Sequence, residues 1–263
     1  MFTLFFVTSF LTFYISFVVY CKCGIEGYFL SFFASVALSW IMVLLVFFIM
    51  MFINRRLKIN NSFQQKVVAS ISKLILRFFR IKVTVYNQEL IPYKGNLVIY
   101  SNHKTNFDPF IIACAIDRTM SFSPKDDLYK GRWGWFLSYY FNSIHCLKIV
   151  RDNPRATAQN LNQAIENVKQ ELAMLIFPEG GVVNKKNDKI ISTLDGAYKI
   201  AVKGEANILP ITLKGAYKMR KKFWFKRKKI EVIIHPHIKY EEYKGKNTQQ
   251  IGQEVADIIN SAL

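Results

Sequence analysis

The polarity of the chain changes once, and sharply. Residues 1–53 hold two charged side chains, Lys22 and Glu26, whereas apolar and polar stretches alternate through the remainder. Within the first part, "FTLFFVTSFLTFYISFVVY" (2–20) and "YFLSFFASVALSWIMVLLVFFIMMFI" (28–53) flank the polar break "CKCGIEG". Each run approaches or exceeds the ~20 residues a helix needs to cross a bilayer. The pattern predicts an N-terminal transmembrane or membrane-embedded helical hairpin. Thr3, Thr8, Thr12 and Ser16 weaken the first run, so two helices buried in a core or lying flat in one leaflet remain the alternative. Cleavage as a secretory signal is not expected, because the first charge, Lys22, follows the first apolar run rather than preceding it.

Beyond residue 58 the spacing becomes that of a folded domain. Phe63, Val67, Ile71, Leu74, Ile75 and Phe78 recur at helical period with Lys66, Lys73, Arg77 and Arg80 between them, which predicts a basic amphipathic helix. "IKVTVYNQEL" alternates as a half-buried strand and "NLVIYSN" is apolar enough for a fully buried one. "DPFIIACAI" opens a helix, with Asp108 near its cap and Pro109 in its first turn. Strands are then expected at 120–123, 146–150, in "LAMLIFP", in "ANILPITLKG" and in "KKIEVIIHPHI". Helices are expected within 131–141, at 155–170, around 195–203 and in "NTQQIGQEVADIINSA". Strands alternating with helices imply an α/β fold, a central mixed sheet flanked by helices. Residues 1–58 are assigned to a membrane anchor and 59–263 to one catalytic domain, since no repeat or low-complexity linker interrupts the latter.

Charge sharpens this division. Without Lys22 and Glu26 the remainder carries 35 Lys and Arg against 17 Asp and Glu, the whole formal +18. Such an excess attracts polyanions, and the adjacent apolar hairpin favours anionic membrane lipids over nucleic acid, for which no binding motif accompanies the charge. Arg55, Arg56 and Lys58 follow the second apolar run directly. By the lysine and arginine bias they put the long C-terminal part on the cytoplasmic side of the cell membrane. "RKKFWFKRKK" (220–229), with rings between basic flanks, is expected to be a second membrane contact or, failing that, a solvated hairpin. Cys21, Cys23, Cys114 and Cys146 have neither disulfide density nor metal-ligand spacing and read as free thiols.

Three segments could carry chemistry. In "VIYSNHKTNFDPFII" His103 follows a buried strand, and Asp108 lies five positions on, across a turn that can fold back to the imidazole. A carboxylate on one ring nitrogen leaves the other free to take a proton; the same pair can also be a purely structural contact. No nucleophile elbow surrounds Ser101, so the attacking group is sought on a substrate hydroxyl activated by His103. In "AMLIFPEGGVVNKKN" a buried strand runs into Pro178, Glu179, Gly180 and Gly181, a turn that permits close backbone approach. In "CLKIVRDNPR" Arg151 stands beyond an apolar run, either as a phosphate clamp or as a surface arginine. His145, His235 and His237 fit none of these segments, and "HPH" is read as a strand end rather than a metal pair.

Together these segments resemble the blocks of the glycerolipid acyltransferases that acylate lysophosphatidic acid, the 1-acyl-sn-glycerol-3-phosphate acyltransferase family. "NHKTNFD" matches NHxxxxD at Asn102, His103 and Asp108. "LKIVRD" offers Arg151 for the arginine of the second block. "FPEG" (177–180) matches FPEGTRS before "GVV" replaces TRS, and "ILPI" supplies Pro210 for the proline of the fourth. The resemblance covers residues 83–215. It implies His103 as the base and Asp108 as its orienter, with Asn102, Arg151, Phe177, Pro178, Glu179, Gly180, Gly181 and Lys185 around the acceptor. Lys185 or Lys186 would supply charge for the arginine missing after "FPEG". The implied partners are lysophosphatidic acid and an acyl-CoA or acyl carrier protein donor; no metal or cofactor is needed. The alternatives are an acyltransferase for another lysophospholipid or glycerol-phosphate acceptor, and a non-catalytic protein that binds anionic lipid.

Overall fold

The computed structural model describes residues 1–21, 24–148, 154–221 and 226–263. In chain order they form α1 (Phe2–Cys21), α2 (Ile25–Asn54), α3 (Ser62–Phe78), β1 (Ile81–Tyr86), β2 (Leu97–Ser101), α4 (Asp108–Ala115), β3 (Met120–Phe122) and α5 (Gly134–Ser143). There follow α6 (Pro154–Lys169), β4 (Ala173–Ile176), α7 (Lys199–Lys203), β5 (Asn207–Lys214), β6 (Lys228–Ile234), α8 (Tyr240–Tyr243) and α9 (Thr248–Ser261). The strands make one sheet in the order β1-β6-β5-β2-β4-β3. Neighbours run parallel except β5 and β6, which pair antiparallel from Ile211↔Ile234 to Lys214↔Glu231. The expected mixed sheet is present.

Side-chain alternation divides the sheet between two apolar layers. Leu97 and Ile99 of β2, Ala173 and Leu175 of β4, and Leu209, Ile211 and Leu213 of β5 pack with α3 and α4. Val98, Tyr100, Met174, Ile176 and Ile208 point the other way, onto α6, α7 and α9. Because β2 is covered on both faces, all five of its residues are buried, and a continuous apolar run such as "LVIY" is what that position requires. Each such side chain contributes about 1.5–3 kcal/mol by leaving water. α9 starts with a capping box between Asn247 and Gln250 and buries Ile251, Val255 and Ile259 against the second layer.

Chain crossovers point to where a ligand would bind. From β2 the chain passes through α4 to β3, beyond β4; from β4 it passes through α7 to β5, on the opposite side of β2. The loops leaving the adjacent carboxyl ends of β2 and β4 therefore diverge, and open sheets of this type bind ligands at such a switch point. Both loops carry the segments singled out above.

The differences from expectation are local. "IKVTVYNQEL" stays a strand only to Tyr86, after which residues 88–90 form a 3-10 turn. The helix expected around 195–203 is a 3-10 turn at 195–198 running into the short α7. Cys146–Lys148 is not a strand: Leu147 N–H donates once to Phe122 O, at 2.9 Å, without a continuing ladder. Ile149, Val150 and Arg151 lie outside the described residues. So do residues 222–225 of the basic aromatic run, whose Lys228 and Lys229 belong to β6, with Lys228 buried.

α1 and α2 form the expected antiparallel hairpin. Ring pairs step along it in opposite directions: Phe2 with Phe47, Phe6 with Trp40, and Phe10 with Phe32. Ser31, Ser35 and Ser39 lie buried at one-turn spacing on α2, and small residues in that pattern let helices approach without help from water. The Ser35 and Ser39 hydroxyls are satisfied within the helix, donating to Ser31 O and Ser35 O at 2.7 Å. Both helices are long and apolar enough to cross a membrane.

The hairpin does not end at the sheet domain's surface. Phe2, Val43, Phe47 and Met51 join its apolar layer, and a buried polar knot closes the junction. Asn54 Nδ2 donates to Ser143 O (2.6 Å) and Gln64 Oε1 (3.3 Å), while Gln64 Nε2 donates to Met120 O (3.0 Å). Asn61 Nδ2 donates to Asn54 Oδ1 (3.1 Å), so α2, α3, β3 and α5 meet through the Asn54 and Gln64 amides. Asn54→Ala strands buried polar groups on its neighbours and is expected to cost about 1–3 kcal/mol. Thermal unfolding in detergent micelles should show a lowered midpoint; an unchanged midpoint would contradict this reading of the knot.

Candidate active site

The loop after β2 folds back on itself around a single carboxylate. Asp108 heads α4, is buried, and has Pro109 behind it to begin the helix. Its Oδ2 accepts from Lys104 N (2.5 Å) and Thr105 N (2.8 Å) and meets His103 Nδ1 at 2.9 Å; its Oδ1 accepts from Thr105 Oγ1 at 2.7 Å. The hydroxyl and two amides that tie the turn are local donors, which is why a residue five positions past the histidine can reach it. With Nδ1 donating to the carboxylate, Nε2 keeps its lone pair and is the nitrogen able to take a proton. The imidazole lies flat on Phe177, centroids 4.2 Å apart and planes 17° apart. Its side chain is 15% exposed, enough to be reached from the surface.

The loop after β4 supplies the other wall. Glu179 Oε1 accepts His103 N–H at 2.8 Å, and Lys104 Nζ donates to Oε1 (2.9 Å), Oε2 (2.7 Å) and Lys189 O (3.1 Å). Both charged side chains are fully shielded from solvent. Burial pushes the Glu179 carboxyl above its ordinary range, and the His103 amide and Lys104 ammonium oppose that shift. An ion pair this deep repays its desolvation only when its remaining hydrogen-bonding positions are filled, as they are here.

Gly180 shows why glycine follows Glu179. Its φ is +69°, and a Cβ would lie 2.5 Å from Leu194 Cδ1, so a side chain there meets both backbone strain and a clash. Leu194 N–H donates to Pro178 O at 2.8 Å, closing the base of the 178–194 loop. Farther along, Asp188 accepts from Gly215 N (2.6 Å) and Tyr217 N (2.7 Å). Burial raises its carboxyl as well, against those two amides.

The structure thus brings Asn102, His103, Asp108, Phe177, Pro178, Glu179 and Gly180 together. Two of these residues are turned inward. Asn102 Nδ2 donates to Asp188 O and Leu213 O, both at 2.9 Å, and its Oδ1 accepts from Leu213 N at 2.7 Å. Both Glu179 oxygens are likewise held by the protein. Gly181 is buried, while Lys185 and Lys186 are exposed beyond an asparagine turn in which Asn184 Oδ1 accepts Lys186 N–H at 3.0 Å. Arg151 is outside the described residues. His235 stands apart from the dyad, its Nε2 2.8 Å from Thr212 Oγ1. Sequence reasoning missed Lys104, Thr105 and Asp188. Lys104 stands inside the "NHKTNFD" block, but nothing in the local pattern distinguishes a buried lysine from the many solvated ones.

Comparison with known proteins identifies the family and the fold. The acyltransferase family model matches residues 82–214, half the chain. A probable 1-acyl-sn-glycerol-3-phosphate acyltransferase of Mycoplasma pneumoniae is 32% identical over 155 residues, 57% of this chain and 56% of that protein. The chain therefore spans little more than half the length of this relative. A probable 1-acyl-sn-glycerol-3-phosphate acyltransferase of Mycoplasma genitalium is 28% identical over 69% of this chain and 70% of its own. The crystal structure of the 1-acyl-sn-glycerophosphate (LPA) acyltransferase of Thermotoga maritima shares the fold, with a TM-score of 0.65 and 21% identity over 84% of this chain and 93% of that one. The matched segment begins within β1, ends with β5 and encloses both strand-end loops. The chain belongs to the acyltransferase family.

Proposed function

We propose that this protein transfers a fatty acyl group from an activated donor to the sn-2 hydroxyl of 1-acyl-sn-glycerol 3-phosphate, giving phosphatidic acid for phospholipid biosynthesis. The observation that carries the proposal is the His103 Nδ1–Asp108 Oδ2 contact at 2.9 Å beside the Glu179 turn, in a chain of the acyltransferase family. The names of the relatives supply the acceptor.

His103 Nε2 takes the hydroxyl proton as the oxygen forms its bond to the thioester carbonyl carbon. Asp108 stabilises the imidazolium that results. Charge collects on the carbonyl oxygen, which backbone amides or nearby polar groups of the two loops would hold. The tetrahedral centre collapses with cleavage of the carbon–sulfur bond, and the proton on Nε2 passes to the departing thiolate of acyl-CoA or acyl carrier protein. Phe177 keeps the imidazole in plane. Asn102, Lys104 and Glu179 act as positioning residues: their polar groups are saturated by the protein, so they orient the two loops rather than grip the acceptor. Arg151 and Lys185 are assigned to the acceptor phosphate. Residues 1–58 anchor the chain in the cell membrane, where acceptor and product both reside, and the basic cluster at Arg55, Arg56 and Lys58 puts residues 59–263 on the cytoplasmic side.

A panel of acceptors and donors, with products followed by mass, tests the reaction. Lysophosphatidic acid should be acylated, and His103→Ala should lower turnover by about 10²–10⁴-fold, the usual share of a general base, while the variant still folds and attaches to membranes. Transfer to a different lysophospholipid alone would favour the alternative suggested by "GVV" after Gly180. Absence of transfer to lysophosphatidic acid from any donor, or full turnover by the alanine variant, would refute the proposal.

The positioning role makes a separate prediction. Lys104→Met leaves a buried carboxylate unpaired and Glu179→Gln leaves a buried ammonium unpaired, each at a cost of about 3–5 kcal/mol. The double variant removes both charges yet keeps an oxygen at residue 179 for the His103 N–H, and should recover most of that stability. Thermal unfolding of the four proteins checks this; additive losses in the double variant would show that the pair is not coupled.

A further inference from the structure

An exposed apolar surface outside the hairpin lies on a short turn that the acyl-transfer chemistry does not use. Between β3 and α5 the chain reads "KDDLYKGRWGWF" (125–136), and within it Leu128, Trp133 and Trp135 are 46%, 65% and 66% exposed. Isolated exposed apolar residues are unremarkable, but indoles two positions apart among basic residues mark an interaction site. Lys125, Lys130 and Arg132 against Asp126 and Asp127 leave the segment one positive charge, with Lys130 bridged to Asp126 at 2.7 Å.

The turn is built rather than loose. Gly131 has φ +85°, and Gly134 N–H donates to Gly131 O at 3.0 Å. A Cβ on Gly134 would lie 2.5 Å from Tyr129 O, so only glycine lets α5 start this close to the preceding segment. The backbone thereby fixes where the two indoles project.

Their direction follows from how α5 lies on α2. Ser143, at the end of α5, meets Met51 Sδ (3.2 Å) and Asn54 Nδ2 (2.6 Å). Three to four residues earlier, Tyr140 packs on Phe47 with centroids 5.3 Å apart, and Tyr139 stacks on Phe48 at 4.4 Å. The two helices therefore run in the same direction, and going back along α5 towards Trp135 is going back along α2 towards Leu45, Leu44 and Ile41. Those α2 side chains are themselves exposed. The indoles lie on the approach to the apolar surface of the hairpin, and Arg55, whose guanidinium is 5.1 Å from the Tyr139 ring, marks the polar end of the same contact.

From this geometry we infer that residues 128–135 form a second membrane contact, with Trp133 and Trp135 seated in the interfacial layer of an anionic bilayer beside the α1–α2 hairpin. Tryptophan prefers that layer because its ring is apolar and its N–H is not. Lys125, Lys130 and Arg132 would face the phosphates, and the contact would set the tilt of the sheet domain against the bilayer. The inference rests on the hairpin being in the membrane, a premise that vesicle flotation reads separately.

The test uses the full chain with Trp40→Phe and Trp224→Phe, so that Trp133 and Trp135 alone emit, in vesicles of phosphatidylglycerol and phosphatidylcholine. Dibrominated phosphatidylcholine should quench most of the emission, and aqueous acrylamide should quench little. Emission typical of a hydrated indole, quenched by acrylamide and indifferent to bromine, overturns the inference. Protection from acrylamide without bromine quenching also overturns it and identifies a protein surface over the rings. If the chain fails to float with the vesicles, the premise and the inference fall together. Trp133→Ser with Trp135→Ser should slow acylation of a bilayer-embedded acceptor several-fold while leaving that of a short-chain monomeric acceptor unchanged; equal effects on the two would contradict a membrane role.

Discussion

The site depends on one carboxylate that never meets solvent. Glu179 takes the backbone N–H of His103 and the ammonium of Lys104 at once, so the loop leaving β4 fixes both the residue that presents the imidazole and the residue next to it. Without that link the two loops leave the sheet in different directions, as the crossovers to β3 and β5 require. Burying a lysine and a glutamate together is expensive in desolvation and is repaid only if every donor and acceptor is used. Lys104 is accordingly bonded to a backbone carbonyl as well as to the carboxylate. The pair is better understood as a device for registering two loops than as a source of net stability.

The same economy of partners runs outward from the dyad. Asp108 is saturated by its own turn, Asn102 by β5 and the 178–194 loop, and Asp188 by the amides after β5. Polar side chains of the two loops are thus largely held by the protein itself, and His103 Nε2 is the atom to which the proposed mechanism gives the proton transfer. At the other end of the molecule, the Asn54 knot joins the apolar hairpin to the same layer that carries α4 and α3. His103 is thereby coupled, through packed elements, to the apolar hairpin.

How much of this was legible depended on whether a feature is local. The His103–Asp108 pair could be read because the turn between them closes with donors from Lys104 and Thr105, all within six residues. The buried strands were equally plain, since β2 and β4 are covered on both faces and show continuous apolar runs. The Lys104–Glu179 pair was not legible: its members are 75 positions apart, and their meeting is decided by strand order. The antiparallel pairing of β5 with β6 is a property of the sheet rather than of either strand's pattern. Cys146–Lys148 misled because an apolar run resembles a strand whether or not a neighbour continues the ladder; among the described residues Leu147 N–H donates to Phe122 O and 146–148 form no strand. Trp133 and Trp135 fell within the segment 131–141 expected to hold a helix, which carried no information about their exposure.

The central claim is that Asp108 makes His103 a base. Its most direct measurement is kcat/KM for lysophosphatidic acid acylation against pH, in reconstituted vesicles, for the natural protein and Asp108→Asn. An amide at residue 108 keeps the shape of the turn but presents no charge to the imidazolium. The account predicts that the variant's kcat/KM lies below that of the natural protein by about 10²–10⁴-fold at every pH tested. A variant with the natural kcat/KM would contradict it.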